Sequence, residues 1–99
     1  MDKVLSLLGI ASRARRIVCG QTVLESFKKN QVKYLFIASD ASENTKERYL
    51  NKCKYYNVKY CDTYSTSQLS LAIGQNNRKA IGVIDVGLKK KFIEIIDGG

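Results

Sequence analysis

Apolar residues recur along this chain at two different periods. Val4, Leu5, Leu8 and Ala11 have helical spacing within residues 2 to about 15. Helical segments are also predicted over about 21–29, from a cap at Ser42 or Asn44 to about 57, over 66–73 and over 88–96. Short apolar runs at 17–19, 34–38, 58–61 and 80–84 are typical of strands. This alternation predicts an α/β fold, a three-layer α/β/α sandwich formed by one domain over residues 1–99.

Polar residues at the segment boundaries supply the helix signals. Asp2 suits the start of the first helix, where an acid is favoured by the helix dipole. Either Ser42 or Asn44 is expected to cap the third helix, and Asn44 would form a capping box with Glu47. The sequence Ser65 to Gln68 matches a capping box for the fourth helix. Asp85 to Gly87 is expected to form a turn, so that the last helix begins at Leu88.

The charge balance is strongly basic for so short a chain. The chain contains seventeen lysines and arginines and nine acidic residues, which gives a formal net charge of +8. Such a balance favours nucleic acid or another anionic surface as partner, although solubility alone would also explain exposed lysines. The sequence shows neither a signal peptide nor a membrane-spanning run, so a cytoplasmic location is expected.

The sequence offers little for catalysis or for metal binding. The three cysteines (Cys19, Cys53 and Cys61) have no metal-site spacing, and the chain contains no histidine. We therefore expect no metal, no cofactor and no catalytic residue. Cys53 lies on the apolar face of the third helix and is expected in the core. Cys19 precedes a helix and lies near arginines, conditions that lower a thiol pKa, so a small enzyme centred on Cys19 is one remaining hypothesis.

The junction between the first two helices is the strongest candidate site. It combines three arginines (Arg13, Arg15 and Arg16) with Gly20, followed by the small polar residues Gln21 and Thr22. A helix that begins beside a glycine offers unpaired backbone N–H groups to an anion, and nearby guanidinium groups add phosphate contacts. Lys28 lies in the last turn of this helix, where it either complements the helix dipole or contacts RNA.

Several segments resemble the kink-turn-binding ribosomal protein family and follow one another in the same order as in that family. The family includes the large-subunit proteins seven-Ae and thirty-e, and the resemblance is greatest to its short bacterial branch. The segments are Leu7–Ala11, Arg13–Arg16, Gly20, Ile37–Thr45, Lys52–Val58, Leu71–Gly74, Ile81–Asp85 and Gly87. The resemblance implies an α/β/α sandwich with a four-stranded mixed sheet. It also implies a non-enzymatic function, the binding of a sharply bent RNA duplex with tandem sheared G–A pairs.

Carried over to this chain, the resemblance implies two RNA-binding patches. The first contains Arg15, Arg16, Gly20, Gln21 and Thr22, with a contribution from Ser42. The second is the loop after the fourth helix, with Gln75, Asn76, Asn77 and Arg78. The implied partners are structured RNA, including ribosomal RNA, and the ribosome, bound by a monomer and away from any membrane.

One position points to an alternative function. Where the family usually has a lysine that faces phosphate, this chain has Glu25. A carboxylate near RNA is unfavourable, so a protein–protein docking module of the same fold is the second hypothesis.

Overall fold

The computed structural model describes residues 2–98, in which five helices alternate with four strands. In chain order the elements are α1 (Lys3–Arg13), β1 (Ile17–Cys19), α2 (Gln21–Lys28), β2 (Tyr34–Ile37), α3 (Glu43–Tyr56), β3 (Lys59–Cys61), α4 (Thr66–Ala72), β4 (Ala80–Val83) and α5 (Val86–Asp97). This order confirms the alternation predicted from the apolar pattern.

The four strands form one mixed sheet in the order β1-β4-β2-β3. β4 is antiparallel to both β1 and β2, whereas β3 is parallel to β2. The two central strands, β2 and β4, are buried along their whole length, because helices cover the sheet on both faces. The short edge strands are more exposed, and β3 buries only Cys61.

Helices cover both faces of this sheet, which confirms the α/β/α sandwich. α1 packs on α4 and on α5, while α2 packs on α3 and contacts β1 and β4. The core joins apolar side chains from all of these elements. Phe36 of β2 meets Phe92 of α5 edge to face, with 5.0 Å between the ring centroids. Cys53 is buried on α3, as its position on the apolar face predicted.

Local hydrogen bonds fix the helix ends and correct two predictions. Ser42 caps α3 by accepting from the N–H of Thr45, so the alternative capping box from Asn44 is wrong. The last helix begins at Val86 and not at Leu88, because Asp85 caps it by accepting from the N–H of Leu88. Asp2 caps α1, and both bonds of the Ser65–Gln68 capping box are present.

Within residues 2–98, no helix combines the length and the hydropathy needed to cross a bilayer. The same residues contain no cluster of histidine, cysteine or carboxylate side chains suited to a metal ion.

Candidate nucleic-acid interface

The strand directions define two opposite edges of the sheet. The upper edge is where β1, β2 and β3 end, at Cys19, Ile37 and Cys61, and where β4 begins, at Ala80. The lower edge is where β1 and β2 begin, at Ile17 and Tyr34, and where β4 ends. Each predicted site residue can be assigned to one of these two edges from the strand end or helix end that it adjoins.

The candidate site at the upper edge, called the upper-edge site below, consists of Gly20, the start of α2 and the loop from Gly74 to Lys79. Gly20 has a φ of 62° and a ψ of −141°, which are reached easily by glycine alone, because a Cβ atom would clash with the backbone. The Gly20 carbonyl accepts from the N–H of Val23 and, at 3.4 Å, from the hydroxyl of the buried Tyr49. α2 has no side-chain cap, and among residues 2–98 the N–H groups of Gln21 and Thr22 have no acceptor. The start of α2 therefore presents unpaired donors to solvent.

Arg78 lies directly beside this helix start. Its Nη1 is 3.4 Å from the place that a Cβ atom on Gly20 would occupy. Two bonds hold the residue there, since its backbone N–H donates to Ser70 Oγ at 2.7 Å and its Nε to Gln75 Oε1 at 2.8 Å. Within residues 2–98, no carboxylate lies within 4.0 Å of the guanidinium. An anchored cation and a set of backbone donors thus converge on one spot, which suits a phosphate or a carbonyl oxygen.

The loop from Gly74 to Lys79 extends this surface. Gly74 and Asn77 have positive φ angles, and Gln75, Asn76 and Asn77 are exposed. The loop and α4 border a surface cavity with a volume of about 460 Å³, which is lined by Thr66, Ser67, Ser70, Leu71, Gln75, Asn76 and Asn77. Amide and hydroxyl groups of this kind can both donate to and accept from the edges of nucleobases.

A polar cluster ties this loop to the segment that follows β2. Asp40 Oδ1 accepts from both the hydroxyl and the N–H of Thr66, at 2.6 and 2.9 Å. These two bonds lower the pKa of the Asp40 carboxyl. The Lys79 ammonium donates to Thr66 Oγ1 at 3.5 Å, while the Lys79 carbonyl accepts from the N–H of Ala38. No sequence motif pointed to this cluster, because its members come from three separate segments.

Ser42 is at the same edge, but its hydroxyl is already engaged. The Oγ atom accepts from the N–H of Thr45 and donates to Thr45 Oγ1. Ser42 thus serves α3 as its cap, and its exposed position leaves only the outer side of the hydroxyl for another molecule.

The arginines of the first junction do not join the upper edge. Arg16 precedes β1, and its carbonyl accepts from the N–H of Ile84, just past the end of β4. Its Nε is 3.6 Å from Asp85 Oδ2. Arg16 and Gly20 lie at opposite ends of β1, which at about 3.3 Å per residue separates their Cα atoms by about 13 Å. The single junction patch that the sequence suggested is therefore divided between two edges.

Arg15, Arg13 and Lys28 also lie away from Gly20. Arg15 adjoins Arg16 and has a left-handed backbone with a φ of 59°. Arg13 is near Gly9 and lines a groove between α1 and α4. Lys28 is in the last turn of α2, about 10 Å along the helix axis from Gln21 at about 1.5 Å per residue.

The thiol of Cys19 lacks the environment of a nucleophile. Burial raises its pKa, and the opposing effect of the Arg78 guanidinium is smaller. A raised pKa leaves the thiol protonated at neutral pH, so the geometry does not favour an enzyme centred on this residue.

Known proteins resemble this chain in both sequence and structure. An RNA-binding protein YlxQ from Enterococcus faecium is 35% identical over 98% of this chain and 94% of its own length. An RNA-binding protein YlxQ from Bacillus subtilis (strain 168) is 36% identical over 92% of each.

Two solved structures share the fold. A protein of unknown function from Bacillus halodurans C superposes with a TM-score of 0.93 at 37% identity, covering 98% of this chain and 99% of that one. The Giardia lamblia 15.5kD RNA binding protein superposes with a TM-score of 0.79 at 19% identity, covering 96% of this chain and 82% of its own. The profile of the ribosomal protein L7Ae/L30e/S12e/Gadd45 family matches residues 2–93. The chain therefore belongs to the ribosomal protein L7Ae/L30e/S12e/Gadd45 family.

Proposed function

We propose that this chain is a non-enzymatic RNA-binding protein whose upper edge holds a sharply bent RNA duplex. The observation that carries the proposal is the guanidinium of Arg78, which is fixed beside Gly20 and the unpaired N–H groups of α2. The names of the relatives support RNA as the ligand. The partner we propose is structured RNA, including the RNA of the ribosome, bound by a cytoplasmic monomer.

The chemistry of the upper edge suits a kink better than a straight duplex. In a regular RNA helix the base edges of the major groove are inaccessible, whereas a sharp bend exposes purine edges. The N–H groups of Gln21 and Thr22 supply short-range donors for such edges. The exposed side chain of Gln21 and those of Gln75 to Asn77 supply both donors and acceptors. Arg78 supplies a bidentate contact to a phosphate, which fixes the register of the RNA on the protein.

The test compares two RNAs that differ only at the bend. One is a kinked duplex with tandem sheared G–A pairs, and the other has Watson–Crick pairs in their place. Gln21→Ala and Arg78→Ala should each weaken binding of the kinked RNA at least tenfold and binding of the plain duplex about twofold, measured by fluorescence anisotropy. The expectation rests on the removal of direct hydrogen bonds to bases and of bidentate bonds to phosphate, each worth about 1–3 kcal/mol.

Two further variants make the result specific. Arg78→Lys keeps the charge and removes the planar fork, so it should restore binding of the plain duplex but not the preference for the kink. Lys91→Ala removes an exposed cation of α5 and should leave that preference unchanged. Equal losses on the two RNAs in Gln21→Ala and Arg78→Ala would refute selective recognition of the kink.

A protein–protein docking module is the second candidate, and two observations favour it. Glu25 is exposed one turn after Gln21, on the same side of α2, where it repels phosphate. The groove between α1 and α4 has a volume of about 490 Å³, and the Ile10 and Leu71 side chains at its border are 51% and 83% exposed. A partner that stays bound after ribonuclease treatment, and is lost in Leu71→Ser, would favour this function over RNA binding.

A further inference from the structure

The cations that the sheet directs away from the upper edge come together at the lower edge. There, β4 lies between the starts of β1 and β2. Ile17 and Tyr34 both pair with Val83, so Arg16 and Lys33 flank Ile84 on its two sides. Two strand spacings separate their Cα atoms, a distance of about 9–10 Å.

Helix ends add further cations to this edge. α2 ends there with Lys28 and Lys29, and the first turn of α5 brings Lys89, whose N–H bonds to the Asp85 carbonyl. We call these residues the lower-edge cations: Arg15, Arg16, Lys28, Lys29, Lys33 and Lys89. Among residues 2–98, the Asp85 carboxylate is the only acid within 4.0 Å of any of them, and it contacts Arg16 alone.

Part of this surface is concave, and a hydrogen bond fixes the position of one of its cations. A recess of about 200 Å³ lies where α2, α3 and α5 meet the start of β2, and Lys33 and Lys89 both line it. Both lysines are half-buried. Lys33 Nζ donates to the Asn30 carbonyl at 2.9 Å, which holds its ammonium at the rim with two N–H groups left. Asn30 and Asn57, with φ angles of 57° and 56°, form the turns that border the recess.

Stabilisation of the folded protein does not explain the positions of all of these charges. Lys28 and Lys29 complement the negative end of the α2 dipole. Lys89, however, is in the first turn of α5, where the dipole disfavours a cation, and Arg15 has a strained left-handed backbone. Cations kept at unfavourable positions, with one acid near them, indicate an external anion.

We propose that the lower edge is a second RNA-binding surface, which contacts only the sugar–phosphate backbone and holds a second RNA helix while the upper edge holds the bend. The proposal rests on RNA binding as the function of the upper edge. The two surfaces differ in chemistry. Lysine ammonium groups neutralise phosphates as point charges without reading bases, whereas the upper edge presents backbone donors in fixed directions. The principal-axis extents of the protein are 30 × 25 × 24 Å, so RNA helices at opposite edges are held apart by its body.

The experiment is a bridging assay with the whole chain. A biotinylated kinked duplex on beads is loaded with protein, washed, and offered a fluorescent plain duplex. The lower-edge variant is Lys28→Gln/Lys33→Gln/Lys89→Gln. The matched control, Lys3→Gln/Lys52→Gln/Lys91→Gln, removes the same number of positive charges from residues that belong neither to the lower-edge cations nor to the upper-edge site. Far-ultraviolet circular dichroism and a melting curve for each variant establish that it is folded.

We expect wild type and control to capture the plain duplex, and the lower-edge variant to capture at least tenfold less while it stays bound to the immobilised RNA. In direct titrations of the plain duplex, the slope of log affinity against log salt should become shallower in the lower-edge variant, by about 0.9 for each phosphate that the protein no longer neutralises. If the lower-edge variant still captures the plain duplex as well as wild type does, the bridge is formed by two chains bound to each other. That result would overturn the proposal.

Other outcomes separate this proposal from the function of the upper edge. If the kinked duplex binds normally and the lower-edge and control variants behave alike, the second surface does not exist. If the kink is not preferred but binding of the plain duplex still depends on the lower-edge lysines, the second surface stands and the kink-binding function fails. If wild type binds neither RNA, both proposals are refuted.

Discussion

Replacement of Arg15 by glycine should separate folding stability from RNA binding. Arg15 follows the end of α1 in a left-handed conformation, and two hydrogen bonds close the turn there. Its own N–H donates to the Ser12 carbonyl at 3.0 Å, and the N–H of Arg16 donates to the Ala11 carbonyl at 2.9 Å. This is the Schellman arrangement, in which glycine is the usual occupant of the left-handed position.

The expected change in stability is a difference between two opposing terms. A left-handed backbone costs an L-residue about 1–2 kcal/mol, and glycine avoids that cost. Glycine loses more conformational freedom on folding, which costs about 0.5–1 kcal/mol. Arg15→Gly should therefore raise the free energy of unfolding by about 0.5 kcal/mol. For a domain of this size that is a rise in Tm of about 2–4 °C.

RNA binding should change in the opposite direction. Arg15 is exposed and has no carboxylate partner within 4.0 Å among residues 2–98, so its guanidinium is available to a phosphate. Removal of one such phosphate interaction should weaken binding about two- to tenfold at moderate salt and reduce the salt slope by about 0.9. A variant that is more stable and binds less tightly would show that the strained arginine is present for its ligand.

Urea denaturation and anisotropy titration together test this prediction. Asn30→Gly is the matched control, because Asn30 occupies the same position after α2 with a φ of 57° and the same pair of bonds. Asparagine tolerates the left-handed region, so its replacement should change stability by less and remove no charge. A decrease of more than about 1 kcal/mol in the stability of Arg15→Gly, or RNA binding equal to that of wild type, would refute the reasoning.

Two other expectations concern single carboxylates. Glu25→Gln should strengthen RNA binding about twofold, since a charge about 10 Å from a phosphate costs about 0.4 kcal/mol in water; an unchanged affinity in filter binding would place the RNA far from α2. The pKa of Asp40 is lowered by its bonds from Thr66, so the stability it contributes is present above about pH 4 and is lost as the pH falls through its folded pKa. Asp40→Asn should show a smaller loss of stability between about pH 5 and pH 2 in thermal melts, and a loss identical to that of wild type would show that this carboxylate has no part in acid unfolding.

Local chemistry made much of the fold predictable from the sequence. Asp2 and the Ser65–Gln68 box form hydrogen bonds within three residues along the chain, so their pattern is complete in the sequence. The start of α5 was misplaced because Asp85 serves equally well in a turn and as a helix cap, and only the tertiary path selects between these roles.

The candidate site was harder to predict, because it depends on long-range register. Arg16 and Gly20 are close in sequence, yet the extended backbone of β1 carries them to opposite edges. Arg78 is far from Gly20 in sequence, yet the antiparallel pairing of β1 with β4 brings them together. Composition and spacing contain no information on strand order. The resemblance to the family did name both segments of the upper edge, although the geometry that joins them comes only from the structure.

α2 connects these two edges and gives them different electrostatic character. Its first turn, at Gln21, presents backbone N–H groups and the positive end of the helix dipole to the upper edge. Its last turn lies at the lower edge, where Lys28 complements the negative end of the helix dipole and the Lys33 ammonium donates to the Asn30 carbonyl just beyond the helix. Attraction for an anion therefore comes from rigid backbone at one edge and from long side chains at the other. Rigid donors distinguish one ligand geometry from another, whereas flexible cations follow any phosphate backbone. Under the two proposals, a short helix would thus allow one small domain to be selective at one edge and unselective at the other.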